Sequence, residues 1–398
     1  MKRLYIITVI SSIGVLLLGF ILHSLLFEDK TPENIKVGFI YVGDASQAYT
    51  HNFLKAQNTI ESKYSKNVTI VAQYNVPEPD VENALKTLVE EECDIIFSTS
   101  YGYGEKTKEY AEKYPDIEFC QATCSNANES PVLDNYHTFM GTIYEGRYIS
   151  GYVAGMKIRE LIDDGLITPE QAVVGYVAAF PYAEVISGYT AFFMGIRAVV
   201  PEATMLVKYT NTWSSYSLEK QYASELIDMG CVIISQHSDT FGPAVACEEA
   251  SVTKNVFHIG YNQSMADVAP TTYLTGSRID WEPYIVKAVE AMLYGEEIEN
   301  YVEGNVNGND IGGGFKEGWV KMLEINTVVC AEGTQANIEK LIKDFKKDKI
   351  QVFYGDYTGV NPYDENDTIS LKKPFEENKD SSAPAFNYVL DDVIKVIE

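Results

Sequence analysis

The sequence contains few of the residues, and none of the short motifs, from which catalytic and metal sites are usually built. Its 398 residues include only 5 histidines and 6 cysteines, and no two cysteines stand in a Cys-x-x-Cys pair. A zinc site is therefore not expected. The nucleophile motif Gly-x-Ser-x-Gly and the metalloprotease motif His-Glu-x-x-His are absent as well. We expect a protein that has no cofactor, is not an enzyme, and binds its ligand rather than converting it.

Basic residues are also scarce. The chain carries 31 lysines and arginines against 57 acidic residues, for a net charge of −26. Binding to the phosphate backbone requires a basic face, so nucleic acid is a poor partner for this chain. The length is sufficient for two α/β domains, each with a large core.

Long apolar runs are confined to the amino end, where Lys2 and Arg3 precede an uncharged stretch from Leu4 to Phe27. A helix of about 20 apolar residues crosses a bilayer, and the flanking positive charges place the amino end in the cytoplasm. No clear Ala-x-Ala-like cleavage site and no lipid-bearing cysteine follow the run. We therefore interpret residues 1–30 as an uncleaved signal anchor, a transmembrane helix that tethers the remaining chain outside the cytoplasm. A cleaved signal peptide is the alternative.

The remaining chain is organised around stretches in which an apolar strand ends in a polar or aromatic loop. In doubly wound sheets, ligands bind at the carboxyl ends of the parallel strands. These strand ends therefore predict a small-molecule site assembled from several loops. The stretches are IKVGFIYVGDAS (Ile35–Ser46), CDIIFSTSYGY (Cys93–Tyr103), AVVGYVAAFPYAE (Ala172–Glu184) and CVIISQHSDTFG (Cys231–Gly242).

Alternating strand and helix patterns predict an α/β fold of two doubly wound parallel sheets. The pattern is interrupted at residues 136–164, which read as a crossing segment and a tightly packed helix rich in glycine. Two similar halves joined by chain crossings predict a two-lobed clamshell with the ligand between the lobes. Lobe 1 is expected to comprise residues 34–140 with return segments from about 281–398, and lobe 2 residues 141–280.

Within the return segments, two further features are predicted from the sequence. GNDIGGGF (Gly308–Phe315) is rich in glycine and no strand pattern leads into it, so a flexible turn is expected. A strand-rich tail is expected from Ile350 to Asp356 and beyond.

Each strand-end loop supplies candidate ligand contacts, and each also has a purely structural interpretation. Asp44, Tyr49, His51 and Asn52 follow the first strand, but they could equally form a helix cap and a solvated turn. The loop Ser98–Gly104 offers hydroxyl and backbone donors, or a turn that needs glycine for its backbone angles.

The second half of the chain supplies aromatic and acidic candidates. Phe180 offers an apolar wall, and Trp213 follows a strand, where a ligand contact and a core position are both open. Asp239 could accept N–H groups of a ligand or cap the following helix, and the same ambiguity applies to Asp280 and Trp281. Aromatic rings converging with a carboxylate, and with no nucleophile or metal, suit a flat heterocycle.

Several of these stretches together resemble the basic membrane protein (BMP) family of substrate-binding proteins, which are similar to purine-nucleoside receptors of ABC importers. The resemblance covers nearly everything after about Ile35. It implies a type I periplasmic-binding-protein fold, delivery of the ligand to an ABC permease with its ATPase, and no catalysis. The stretches that carry it are YVGDASQAYTHN, FSTSYGYGEKTKEYAEKYPDIEF, YEGRYISGYVAG, GYVAAFPYAEVISGYTAFFMGIRAVVPEA, NTWSSYSLEKQYASELIDMGCVIISQHSD, FKEGWVKM and IQVFYGD.

The resemblance also implies a set of binding positions. Two departures from the family pattern stand among them: Gln47 replaces a tryptophan that relatives often carry, and Ser264 occupies a position that is acidic in relatives. The missing acid favours a free nucleobase over a nucleoside. The implied positions are Asp44, Gln47, Tyr49, His51, Asn52, Ser100, Tyr101, Gly102, Phe180, Trp213, Asp239, Ser264, Asp280 and Trp281.

We therefore expect a membrane-tethered receptor, monomeric, that captures a purine nucleobase or nucleoside for an ABC permease. Two alternatives remain open from the sequence: a membrane-tethered purine sensor without transport, and a surface enzyme that processes nucleosides. The sequence also leaves open whether Cys120 and Cys124 form a disulfide.

Overall fold

A computed structural model describes residues 32–397 of the chain. The predicted signal anchor or signal peptide, residues 1–30, lies outside the described residues. Among the helices of residues 32–397, none is both long enough and apolar enough to cross a membrane.

The described chain alternates strands and helices, as the sequence predicts. The strands are β1 Ile35–Ile40, β2 Val68–Gln73, β3 Ile95–Ser98, β4 Glu118–Ala122, β5 Tyr136–Gly141, β6 Val173–Ala178, β7 Thr204–Tyr209, β8 Ile233–His237, β9 Phe257–Tyr261, β10 Tyr273–Ile279, β11 Asn305–Asn307, β12 Asp310–Gly313, β13 Val320–Met322, β14 Thr358–Asn361, β15 Asp364–Ser370 and β16 Ile394–Val396. The helices are α1 Ala48–Lys63, α2 Val81–Glu90, α3 Gly104–Lys113, α4 Tyr144–Asp163, α5 Ala183–Arg197, α6 Tyr216–Asp228, α7 Gly242–Ala250, α8 Glu282–Tyr294, α9 Ile298–Tyr301 and α10 Thr334–Phe345.

These strands form two large sheets, and each large sheet is the centre of one lobe. The first sheet has the order β11-β12-β5-β4-β3-β1-β2, and only β11 runs antiparallel to its neighbour. The second has the order β13-β10-β9-β8-β6-β7-β16, and only β13 runs antiparallel. Strands β14 and β15 form a separate hairpin. The prediction of an α/β fold with two sheets dominated by parallel pairing is confirmed.

The central strands are buried on both faces, and most of their side chains are apolar. Every residue of β3 and β5 is buried, which is the pattern of a strand in a parallel sheet covered by helices on both sides. Helices α4 and α5 pack backbone to backbone. A Cβ atom on Gly151 would lie 1.8 Å from the carbonyl oxygen of Phe192, so only glycine allows this approach.

The chain crosses between the sheets after β5, after β10 and after β12. The strands of the return segment are divided between the lobes: β11 and β12 extend the first sheet, whereas β13 and β16 extend the second. The sequence, in contrast, predicts that the return segments from about 281–398 belong to lobe 1. Helix α8 does pack against α1 in the first lobe.

Three local predictions are corrected by the structure. Within the crossing segment of residues 136–164, Tyr136–Gly141 is a central strand, because Glu118 and Glu299 satisfy the imidazole of His137 and allow it to be buried. Asp310–Gly313 is not a flexible turn but pairs with β5 as β12. Ile350–Asp356 forms no strand; the strands of this tail begin at Thr358.

The cysteines of the described chain are all free. Cys120 lies buried in β4, and the thiol of Cys124 contacts the backbone carbonyl of Tyr101 at 3.2 Å. The possible Cys120–Cys124 disulfide is not formed.

Candidate functional site

A cavity of about 320 Å³ lies where the carboxyl ends of the strands of the two sheets face each other. This volume is within the range of about 300–1,000 Å³ that small-molecule pockets occupy. The first lobe contributes the loops after β1, β3 and β4, and the second the loops after β6, β7, β8 and β9. The cavity is lined by Val42, Gln47, Tyr49, Ser100, Tyr101, Thr123, Phe180, Glu184, Asn211, Thr212, Trp213, Ser214, His237, Asp239, Tyr261 and Asn262.

One wall of the cavity is aromatic. The ring of Phe180 meets that of Trp213 edge to face, with 5.1 Å between centroids. Tyr182 stacks on Phe180 at 5.0 Å, and Tyr101 of the first lobe lies 5.7 Å from Tyr182. Tyr101, Phe180 and Trp213 line the cavity, so rings from both lobes present flat apolar surface to whatever occupies it, and Tyr182 packs against Phe180 outside the lining.

Asp239 supplies a carboxylate beside this wall. Its backbone N–H donates to the carbonyl of Trp213 at 2.9 Å, which fixes the two residues next to each other. Burial, with the nearby carboxylates Glu219 and Glu184, raises the pKa of Asp239 to about 8. The side chain has no hydrogen-bond donor within the described residues, so its oxygens are free to accept from a ligand.

The buried carboxylate of Glu219 fixes the loop that carries Asp239. This side chain accepts hydrogen bonds from the Ser215 N–H at 2.9 Å, from the Ser238 hydroxyl at 2.8 Å and from the Thr240 hydroxyl at 2.7 Å. Burial raises the pKa of Glu219, and these hydrogen bonds oppose that rise. Glu219 thus ties the start of α6 to the loop after β8.

A second acid, Glu184, reaches the cavity from the first turn of α5. Its Oε1 lies 3.4 Å from Nε2 of His237. Burial and the neighbouring Arg147 guanidinium lower the pKa of His237 to about 4, so its imidazole is neutral at pH 7. Arg147 itself is buried behind Tyr261, with its guanidinium carbon 3.5 Å from the ring centroid. This places a cation–π pair against the cavity wall.

In the first lobe, the loop after β1 is shaped by its own turn. Asp44 accepts from the N–H of Ser46 at 2.9 Å and from its hydroxyl at 2.6 Å, and these bonds lower the pKa of Asp44. Gly43 has no side chain, which leaves room for the amide of Gln47: a Cβ there would lie 1.8 Å from that amide oxygen. Tyr49 donates its hydroxyl to the Thr99 carbonyl at 2.6 Å.

The loop after β3 is held by Glu78. Its Oε1 accepts from the hydroxyl of Ser100 at 2.7 Å and from the N–H of Gly102 at 2.9 Å. Ser100 and Tyr101 line the cavity, whereas the Gly102 amide is turned towards Glu78. The carboxylate thus fixes the loop with Ser100 at the cavity wall.

The structure brings half of the predicted site residues to the cavity. Gln47, Tyr49, Ser100, Tyr101, Phe180, Trp213 and Asp239 line it. The other predicted residues lie elsewhere. Asp44 closes the turn described above and Gly102 binds Glu78, while His51 and Ser264 are exposed.

The remaining predicted residues have structural partners. Asn52 is buried and bonded to Asn262 across the two lobes. Asp280 is buried in ion pairs with Lys321 at 2.5 Å and Arg278 at 3.3 Å. The ring of Trp281 is buried against Phe53, with 4.4 Å between centroids.

Sequence reasoning missed several lining residues. Thr123 follows β4, Tyr261 is the last residue of β9 and Asn262 follows it, and the strand-end argument applied to all parallel strands would have found them. Glu184 and His237 lie within the strand-end stretches Ala172–Glu184 and Cys231–Gly242, but the sequence does not mark them as candidate site residues. No cluster of three or more metal-ligating side chains occurs in residues 32–397.

Comparison with known proteins places the chain among transport proteins. The family model described as ABC transporter substrate-binding protein PnrA-like matches residues 35–352. A purine-binding protein of Brucella abortus is 29% identical over 340 residues, which is 83% of this chain and 86% of the relative. A relative from Haloferax volcanii, described as an ABC transporter glucose-binding protein, is 30% identical over 295 residues, 73% of this chain and 67% of the relative.

Solved structures share the fold at low sequence identity. A solute-binding protein of an ABC transporter system from Aeropyrum pernix K1 aligns with a TM-score of 0.66 and 15% identity, covering 83% of this chain and 95% of that one. The two-lobed architecture is therefore that of periplasmic binding proteins.

Proposed function

This chain belongs to the PnrA-like family of ABC transporter substrate-binding proteins, and on that premise we propose that it captures a purine nucleobase or nucleoside between its lobes and delivers it to an ABC permease. Proteins of this family bind small molecules and are not enzymes. The observation that carries the purine assignment is the position of Asp239, a carboxylate without a donor beside the aromatic wall of Phe180 and Trp213.

This combination of groups suits a purine. The rings offer a stacking surface, where each aromatic pairing contributes about 0.5–1.5 kcal/mol beyond the area buried. A carboxylate that accepts from ligand N–H groups contributes about 1.5–3 kcal/mol and discriminates against molecules without the donor. The name of the Brucella relative, a purine-binding protein, supports the same assignment.

A sugar is the rival ligand, because the Haloferax relative is described as a glucose-binding protein and is as similar in sequence. Two carboxylates, Glu184 and Asp239, line the cavity and suit sugar hydroxyls as well as ring N–H groups. A nucleoside would present both kinds of donor, the base towards one acid and the ribose towards the other.

We further propose that the binding lobes act outside the cytoplasm, tethered to the cell membrane by the amino-terminal apolar run, as a monomer. The partners in this proposal are the permease and its ATPase. The support for it is the charge pattern around Leu4–Phe27 together with the family.

The test is a thermal-shift panel on the full chain in detergent, with purine bases, nucleosides, pyrimidines, glucose, arabinose and amino acids. A ligand present at 100 times its dissociation constant stabilises the protein by about 2.7 kcal/mol. That corresponds to a shift of a few degrees for lobes of this size. Shifts with purines only are the expected result.

A shift with glucose or arabinose and none with any purine would overturn the purine assignment while leaving the family assignment intact. The products after long incubation, analysed by chromatography, provide a second readout. A nucleoside recovered unchanged is expected, and release of free base would support the alternative of a nucleoside-processing enzyme.

A further inference from the structure

The carboxyl-terminal segment, residues 353–397, lies beyond the residues matched by the family model and contacts both lobes. It has an aromatic core of its own: Phe386 stacks on Phe353 at 4.4 Å and meets Phe375 edge to face at 5.3 Å. It ends in β16, which extends the second sheet beside β7. Its residues Asp380 and Ser382 bond to β11 and β12 of the first sheet, where the Ser382 hydroxyl donates to Asp310 at 2.6 Å. The segment is therefore folded and contacts both lobes.

The same segment contacts the elements that carry the aromatic wall of the cavity. Strand β16 pairs in parallel with β7, and β7 leads directly into the loop of Trp213. Glu377 accepts a hydrogen bond of 2.6 Å from the hydroxyl of Ser187, in the second turn of α5. Both carboxylate and hydroxyl are buried. Since α5 begins one residue after Tyr182, this bond fixes the helix at the edge of the cavity.

A third contact reaches the wall itself. The tip of the β14–β15 hairpin carries Tyr363, whose hydroxyl donates a hydrogen bond of 2.6 Å to the backbone carbonyl of Pro181. Pro181 stands between Phe180 and Tyr182, the stacked rings of the wall. Tyr363 is 65% exposed, so it contributes little by burial of its apolar surface. The hydrogen bond from its hydroxyl to Pro181 is the contact that a phenylalanine at this position would lack.

From these contacts we propose that Tyr363 is a positioning residue of the binding site. Its hydroxyl fixes the backbone between Phe180 and Tyr182, and so holds the aromatic wall in contact with the ligand. Loss of the hydrogen bond lets this loop move away from Trp213, which exposes the indole and opens a route for the ligand to leave. The inference deepens the proposed binding function of this cavity, and it applies to whichever small molecule fills it.

The test compares Tyr363→Phe with Tyr354→Phe in the full chain. Tyr354 is a matched control, because it is an exposed tyrosine of the same segment and does not line the cavity. The first readout needs no ligand: acrylamide quenching of tryptophan fluorescence. Trp281 and Trp319 are buried, so the quenchable emission comes from the half-buried Trp213. We expect stronger quenching in Tyr363→Phe and no change in the control.

The second readout is the dissociation rate of adenosine and of hypoxanthine, measured by stopped flow. The net worth of one neutral hydrogen bond corresponds to an increase of about two- to tenfold in Tyr363→Phe. The melting temperature of each variant shows whether the substitution acts only by destabilising the fold. Unchanged quenching in Tyr363→Phe would overturn the inference, as would changes in quenching that only accompany a matching loss of melting temperature.

The two readouts separate the failure of this inference from failure of the purine assignment. If neither purine binds the wild type but quenching rises in Tyr363→Phe alone, the positioning role stands and the ligand class is wrong. If a purine binds and neither quenching nor dissociation changes in Tyr363→Phe, the positioning role is wrong and the ligand class stands.

Discussion

The side-chain amide of Asn52 donates a hydrogen bond of 3.1 Å to the backbone carbonyl of Asn262. Asn52 lies on α1 in the first lobe, and Asn262 follows β9 in the second. Both residues are buried, and Asn262 also lines the cavity. This bond joins the two lobes beside the cavity, and we expect it to form only when the lobes close on a ligand.

Replacing Asn52 should therefore weaken ligand binding more than it weakens the fold. We expect Asn52→Ala to raise the dissociation constant about two- to tenfold, the worth of one hydrogen bond made only on closure. Isothermal titration calorimetry measures this change. Asn58→Ala, at an exposed position of the same helix, is the control and should bind normally. A loss of melting temperature without a change of affinity in Asn52→Ala would contradict the prediction.

The carboxyl group of Asp239 predicts a pH-dependent affinity. Its pKa of about 8 means that the group is largely protonated at pH 7, and the ionised form is the stronger acceptor for an N–H group of a ligand. Affinity should rise with pH from 6.5 and level off above about 8, by at most about tenfold per unit. Titrations across this range, with the purine that gives the largest thermal shift, measure the effect.

Asp239→Asn is the matched variant for this prediction. Above pH 8, where Asp239 of the wild type is ionised, the variant should bind the purine at least about tenfold more weakly, since the charged acceptor is lost. Its affinity should not vary with pH in this range. The same pH dependence in Asp239→Asn as in the wild type would assign the titration to another group.

Glu219 is expected to influence the site through the loop of Asp239. Glu219→Gln keeps the shape but weakens the bonds from Ser215, Ser238 and Thr240, at a cost of about 1–3 kcal/mol in the free energy of unfolding. Removal of a neighbouring negative charge should also lower the pKa of Asp239. The pH profile of binding should thus shift to lower pH.

The control for this change is Glu249→Gln. Glu249 pairs with Lys220 at 2.7 Å on the surface, where an ion pair contributes about 0–1 kcal/mol. In Glu249→Gln, the free energy of unfolding measured by chemical denaturation and the pH profile of binding should both be close to those of the wild type. If the pH profile of ligand binding is the same in Glu219→Gln as in the wild type, electrostatic coupling between Glu219 and Asp239 is ruled out.

His137 predicts how the stability of the protein depends on pH. Burial lowers the pKa of this imidazole, but hydrogen bonds to Glu118 at 2.7 Å and Glu299 at 2.5 Å outweigh burial and raise it to about 9. A pKa raised on folding stabilises the protein fully below about 6.5. This contribution is lost as the pH rises through 9, by up to about 3 kcal/mol.

Thermal melts of the ligand-free protein between pH 6 and 10 measure this loss. His137→Asn should be less stable at pH 6 and should show less of the decline towards pH 9 than the wild type. His51→Asn is the control, since His51 is exposed and its pKa is lowered rather than raised, so its titration adds no loss of stability towards high pH. If the melting temperature of His137→Asn declines with pH as much as that of the wild type, a group other than His137 titrates in this range.

The sequence by itself determined the alternation of strands and helices and the position of the cavity at the strand ends. Both follow from local patterns. A parallel strand covered on both faces is mostly apolar, and the residues at which this pattern stops are those at the carboxyl edge of the sheet. Phe180, Trp213 and Asp239 were found in this way, and all of them line the cavity.

Only the tertiary structure decided which of two plausible roles each polar or aromatic residue takes. Trp281 and Trp213 both stand next to strand ends, yet one stacks on Phe53 in the core and the other lines the cavity. Strand β5 went unrecognised because His137 is polar, and the carboxylates that allow its burial come from Glu118 and the distant Glu299. Such roles depend on partners far away in the chain, and no local pattern records which partners will be near.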